Sequence, residues 1–322
     1  MYIKGILSFS FAMFTTIIFS QNYSKIQGKT IDKQTDKPLP YVSIMVLNKS
    51  IGTTSDKNGR FILENIKISS TDTIFLSHVG YFSKKISLSK KFDSIIKLKP
   101  KNIILDEVNI AVEKINDKSK IHTLNKFNKR KTSLVYSTEP LDNKADLWLP
   151  YRELEPTIET MYFTNNQKYN EYIQLKEAII NLKSFKEKSK FRLRVYQAND
   201  QKEPKIEVHL KQPIIDVFKD EPVVKINLLE DNIYMSKNGI FIGVEYLMID
   251  ENLTIEKSEK KNIKTKIYSP FLKYIRVKEN FEYYIFTKGS WQKVTKAAPN
   301  YFDSNDKKKF SYKPAISIQI VK

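Results

Sequence analysis

The chain contains no cysteine. A disulfide framework, a lipid-accepting cysteine behind a leader and a thiol nucleophile are all excluded, so stability outside the cytoplasm has to come from core packing. Histidine is nearly absent too, the whole set being His78, His122 and His209. None has a glutamate three residues on, and none belongs to a His-Glu-x-x-His motif, so zinc-peptidase chemistry lacks its ligands. No Gly-x-Ser-x-Gly elbow occurs. Gly28-Lys29-Thr30 ends like a phosphate-binding loop, but the glycine needed five residues earlier is Tyr23, and the segment reads as a strand. Beyond the first twenty residues, no run approaches the ~20 apolar residues that cross a bilayer as a helix. Acidic residues are in the minority, 36 Asp and Glu against 55 Lys and Arg, for a net charge of +19.

What is present begins with an address. MYIKGILSFSFAMFTTIIFS carries Lys4, an apolar run from Ile6 to Phe19 and the small Ser20 before Gln21. This is the pattern of a secretory signal peptide over 1–20. The polar residues that follow are no stop-transfer signal, so no transmembrane segment is expected after cleavage, and the product is exported: periplasmic, cell-surface or secreted. The positive charge raises the question of nucleic acid. The lysines, however, are scattered along the polar phase of strands and in loops, as in KKISLSKKF and EKSEKKNIKTK, and no nucleic-acid-binding motif accompanies them. Lysine in such excess over arginine suits a solvated face or a negatively charged envelope, and no nucleic-acid partner is expected.

The stretch GTTSDKNGRFIL, residues 52–63, offers a calcium-loop spacing at Thr54, Asp56, Asn58 and Gly59. The first ligand would be threonine and the twelfth Asn65, so the bidentate carboxylate is missing, and Lys57 and Arg60 bring positive charge. The better reading is a tight hairpin turn, with Asp56 capping it and Asn58-Gly59 supplying positive φ. Neither a metal nor a cofactor is expected.

From Ser24 to about Val112, short alternating runs are divided by turn residues, as in a β-sandwich of about seven strands. Val42, Ile44 and Val46 should face its core, as should Ile74 and Leu76. Ile26-x-Gly28, Asp32, Lys37-Pro38-Leu39-Pro40, Val42-x-Ile44, Gly52-Thr53, Asp56-x-x-Gly59-x-Phe61, Val79-Gly80-Tyr81 and Leu105-Asp106-Glu107-Val108 together resemble the carboxypeptidase-regulatory-like domain. The resemblance implies a transthyretin-like sandwich of the surface proteins of Gram-negative bacteria, an accessory module without peptidase activity. Asp56, Asn58, Gly59 and Gly80 take structural turn roles in this reading.

A basic stretch, 113–131, reads as a linker between the 21–112 domain and a second β-rich region, 132–322. There IETMYF, KFRLRVYQ, VVKINL, IFIGVEYLMI and FEYYIFTK suggest a larger antiparallel sandwich of the jelly-roll type. Phe191 to Tyr196, Val224 to Leu228 and Gly239 to Glu245 resemble a recurrent partner domain of the regulatory-like module, which has no settled activity. The whole chain is therefore expected to be all-β, a small seven-stranded transthyretin-like sandwich followed by a larger jelly-roll-like one.

Carboxylate pairs for glycoside hydrolysis could come from Glu153 and Glu155 or from Glu245, but with 36 acidic residues such pairing carries little information. Glu245 also reads as an outward-facing strand residue paired with Lys or Arg. Trp148 with Tyr151, and Trp291 with Tyr301, are candidate sugar-stacking platforms and equally candidate core residues. The ligand-binding candidates are thus Trp148, Tyr151, Glu245, Trp291 and Tyr301. The functional expectation is a non-catalytic exported envelope protein acting as an interaction or scaffold module, partnered by an envelope protein or a glycan. Carbohydrate binding in an uptake or adhesion system is the alternative, and a hydrolase accessory protein the next.

Overall fold

The computed structural model describes residues 25–63, 68–69, 71–88, 92–101, 120–134, 155–165, 173–258, 263–278, 283–294 and 311–321. They are all-β, arranged in antiparallel sheets with one parallel pairing. Seven strands build the first unit: β1 Ile26–Asp32, β2 Ser43–Val46, β3 Gly52–Thr54, β4 Arg60–Leu63, β5 Thr73–Ser77, β6 Lys84–Ser87 and β7 Ile95–Leu98. Three of them form a sheet in the order β4-β1-β7 and four form another in the order β3-β2-β5-β6. The core between these sheets takes Val42, Ile44, Val46, Ile74 and Leu76, all fully buried, with Phe61, Leu63, Ile96 and Leu98. Those are the residues that strict alternation places on one face of each strand.

The second unit opens with β8 Ile121–Leu124, β9 Thr132–Ser133, β10 Ile158–Phe163, β11 Ile173–Lys183 and β12 Lys188–Ala198. It continues through β13 Pro204–Val208, β14 Ile214–Phe218, β15 Val223–Asn227, β16 Tyr234–Met235 and β17 Ile240–Tyr246. After these come β18 Leu253–Ser258, β19 Ile263–Tyr268, β20 Phe271–Leu272, β21 Tyr274–Val277, β22 Tyr283–Thr287, β23 Ser290–Val294, β24 Ser311–Pro314 and β25 Ile316–Val321. One large sheet runs β13-β12-β17-β10-β22-β23, with β14 also on β12. The other runs β15-β11-β25-β8, with β16 and β20 also on β11. Phe191, Leu193 and Val195 of β12 and Ile240, Ile242 and Val244 of β17 face Ala178, Ile180 and Leu182 of β11 and Ile316, Ile318 and Ile320 of β25. A bulge between Leu175 and Glu177 reverses the parity of β11, so both halves of the strand send an apolar row inward.

Two expectations are corrected here. The turn at Asp56 to Gly59 is present, but its flanking strands do not pair: β3 belongs to the four-stranded sheet and β4 to the three-stranded one, so the stretch is a corner between layers. The expected linker 113–131 is also not a linker throughout. Its Ile121–Leu124 is an edge strand of the second sandwich, paired with β25, and Lys129–Lys131 forms one 3-10 turn. Polar alternation hid this strand, because an edge strand buries only half of one face.

The four-stranded sheet of the first unit lies with its outer face on the outer face of β12, β17 and β22. Phe75 meets Phe286 at 5.9 Å between ring centroids, and the Met248 amide donates to the Thr54 hydroxyl at 3.0 Å. Four sheets are therefore stacked, and the middle contact is the joint between the two units. That is why all four residues of β2 are buried, although only Ile44 and Val46 face their own core. Among the described residues, no helix is long and apolar enough to cross a membrane.

Candidate functional site

The joint is built from the outward phase of two neighbouring strands. In β12, Arg192, Arg194 and Tyr196 alternate with the core residues Phe191, Leu193 and Val195; in β17, Phe241, Gly243 and Glu245 alternate with Ile242 and Val244. Arg192 is the direct register partner of Glu245, and Gly243 that of Arg194. The Glu245 carboxylate accepts from Arg192 at 3.0 Å and from Arg194 at 2.6 Å. The first unit completes the cluster. The Ser43 hydroxyl of β2 donates to Glu245, and the Arg192 guanidinium donates to the carbonyl of Tyr41. Arg194 also pairs with Glu207 of β13 at 2.6 Å, and Lys101 reaches Glu207 at 3.7 Å from the other unit.

Arg192, Arg194 and Glu245 are dry, while Glu207 and Lys101 lie at the solvent side of the cluster. Arg192 is 0 % exposed and Glu245 1 %. Burial pushes the Glu245 carboxyl up, but the Arg192 and Arg194 charges, with the Ser43 hydroxyl, outweigh it and bring it down to about 2. Burial also acts against the Arg194 charge, yet Glu207 and Glu245 overcome it and raise its pKa. Partly buried His78, beside Val79, falls to about 3 because burial and then the Arg192 charge disfavour its cation. Its Nδ1 lies 2.8 Å from the Val79 carbonyl. His209 enters from the second unit, close enough that a Cβ on Gly80 would meet its Nδ1 at 3.1 Å.

A second contact lies along the same joint. Lys288 and Gly289, both at positive φ, turn β22 into β23, and the Asn48 amide donates to the Lys288 carbonyl at 3.2 Å. Fully buried Glu155 holds that turn by accepting from the Thr287 hydroxyl at 2.6 Å and from the Lys288 amide at 3.0 Å.

The sequence candidates fall as follows. Glu245 is at the cluster's centre and is paired with arginine, but it stands on a central strand, enclosed by partners from both units, and not on an outward edge. Its carboxylate has no open side for a ligand. Trp291 is half-buried and packs edge-on against Tyr196 at 5.1 Å and Phe286 at 5.3 Å, in a cluster with Ile158, Ala198 and Phe241. Trp148, Tyr151, Tyr301 and Glu153 lie outside the described residues. The Asp56 carboxylate accepts from the amides of Asn58 and Arg60, each at 2.8 Å, and Gly59 has φ +74. Gly80 has φ +80, and the hydroxyl of the adjacent Tyr81 donates to Asp32 at 2.7 Å.

Sequence reasoning missed Arg192, Arg194, Ser43 and Glu207. The one usable signal was two arginines at i and i+2 on the polar phase of an apolar strand, in a chain whose basic residues are mostly lysine.

The first unit is thus a seven-stranded sandwich of two sheets, docked by one of them. Residues 26–110 match the family model of the CarboxypepD_reg-like domain, and the chain carries that domain at its N-terminal side. No curated protein and no solved structure matches the chain.

Proposed function

We propose that this chain is an exported, non-catalytic envelope protein acting as an interaction or scaffold module. The observation that carries this reading is the joint itself. Arg192, Arg194 and Glu245 pair within the second sandwich, and the Ser43 hydroxyl and Tyr41 carbonyl of the first close over them in a dry contact, which is the arrangement of a rigid spacer and not of a reacting site. The leader over 1–20 and the accessory character of the regulatory-like domain support it further. Cell fractionation with N-terminal sequencing tests it: a processed chain in an envelope or external fraction is expected, and an uncleaved cytoplasmic product overturns the reading.

Glycan binding is the second reading, favoured by one observation. Tyr162, Tyr284, Phe286 and Trp291 form a half-buried aromatic patch on the large sheet beside the joint. A glycan array probed with the wild type and with Trp291→Ala decides it, and no hit at millimolar glycan removes it.

A further inference from the structure

We infer that the open face of the three-stranded sheet is a docking surface for an anionic lipid bilayer. The other sheet of the first unit is covered by the second sandwich, so β4-β1-β7 presents the face that is free among the described residues, on the side away from the joint. In register across this face stand Arg60 of β4, Lys29 of β1 and Ile95 of β7, with Ile62 opposite Gln27 and Lys97 two residues beyond Ile95. Lys97 also lines a shallow cleft of about 250 Å³ with Lys33, Phe82, Lys84 and Lys99. Large apolar side chains stand open on this side: Ile62 is 46 % exposed, Ile95 52 % and Phe82 52 %. Lys99 lies over the Phe82 ring at 5.7 Å, leaving an aromatic body capped by a cation.

The carboxylates of the same strands and turns are engaged locally. Asp32 accepts from Tyr81 and its own turn, Asp36 from Lys97, and Asp93 from the Ile95 amide. Lys29, Lys33, Arg60, Lys84, Lys97 and Lys99 stand against Asp32, Asp36 and Asp93, with Lys97 paired to Asp36, so this side keeps a net positive charge and is studded with apolar groups.

The chemistry selects the partner. The cations are mostly lysines spread over a sheet face and do not converge on one point, so they match a plane of phosphates better than a single anion. A soluble polyanion would satisfy the lysines but would leave Ile62, Ile95 and Phe82 in water. A bilayer accepts both, taking phosphates against the ammonium groups and the apolar tips into the boundary between headgroups and acyl chains. The inference names a partner for the proposed interaction module. It rests on that reading only for the supply of a membrane, and binding to vesicles is measured whatever fractionation shows.

A net charge of +19 would draw this chain to any anionic surface, so the test has to locate the contact. Flotation with phosphatidylglycerol-containing vesicles, and with phosphatidylcholine alone, is compared for three variants whose thermal unfolding matches the wild type. Lys33→Gln/Lys84→Gln/Lys99→Gln should weaken binding to the anionic vesicles by about a hundredfold. The charge-matched Lys205→Gln/Lys225→Gln/Lys237→Gln, on the exposed surface of the second sandwich, should change it little. Phe82→Ser/Ile95→Ser should weaken the binding that survives at high salt, where the charge term is screened. Equal loss from both lysine variants would reduce the effect to net charge and overturn the inference. So would absence of binding, or indifference to the apolar variant with dextran sulfate competing fully.

Discussion

Glu245 is held below its ordinary range by two arginines that have no other carboxylate of comparable burial to share. Removing it strands the Arg192 guanidinium in a dry contact and leaves Arg194 to Glu207 alone, and such a loss costs about 3–5 kcal/mol. Glu245→Ala should therefore lower stability by that order in urea unfolding, while Glu153→Ala serves as a comparison at another acidic position. Acid acts on the same cluster. His78 titrates near 6.5 when unfolded and near 3 when folded, so the unfolded chain binds that proton first, and the stability it carries is full above 6.5 and is lost as pH falls. Glu245, with an unfolded value of 4.5 and a folded value of about 2, contributes stability that is full above 4.5 and lost on the way down to 2. Melting temperature should thus begin to decline below pH 6.5 and fall more steeply below 4.5, and His78→Gln should remove the decline between 6.5 and 4.5. At the corner, Gly59 combines φ +74 with a would-be Cβ 2.4 Å from the Thr30 carbonyl. Gly59→Val should destabilise by on the order of 1–3 kcal/mol, read by thermal unfolding, with no shift on adding calcium because Asp56 is already bonded to two backbone amides.

At the scale of elements, the hairpin of β22 and β23 is the part of the second sandwich that grips the first. Its turn is seated against Leu47, whose Cδ2 lies 2.2 Å from where a Gly289 Cβ would stand. Gly289→Val should unseat the turn without disturbing either core. Hydrogen exchange checks this: the Asn48 amide, bonded to the Lys288 carbonyl, should lose protection, while amides of the central strands β1 and β17 keep theirs. The strands themselves were largely legible. Alternation in YVSIMVL assigned Val42, Ile44 and Val46 correctly, and IETMYF and FEYYIFTK became β10 and β22. Ile121–Leu124 was not legible, since a strand at a sheet edge needs few apolar residues and its polar letters resemble a connector.

For the whole molecule, the joint makes the two sandwiches unfold together. Calorimetry of the wild type should show one transition, because losing the first unit takes the Ser43 and Tyr41 partners from Glu245 and Arg192, and losing the second uncovers the outward phase of β2. Glu245→Ala should separate it into two, and two transitions in the wild type would mean the joint does not couple the units.

By itself, the sequence determined the all-β class, the seven-stranded first unit, its core and the turn at Asp56 to Gly59, though not that this turn is a corner between sheets. Each of these follows from local chemistry: period-two burial, turn residues at fixed offsets, and glycine where φ is positive. Only the tertiary structure decided what the polar phase of those strands does. Ser43 and Arg192 went unnoticed, and Glu245 read as a ligand candidate or an outward-facing residue paired with Lys or Arg, because the Ser43–Glu245 and Arg192–Glu245 contacts span 202 and 53 residues. Alternation says which residues leave a core, but it cannot say whether they leave it for water or for a second sheet. Stacking the outer faces of β2 and β17 turned polar positions into a buried ionic joint, and left β4-β1-β7 as the face free among the described residues.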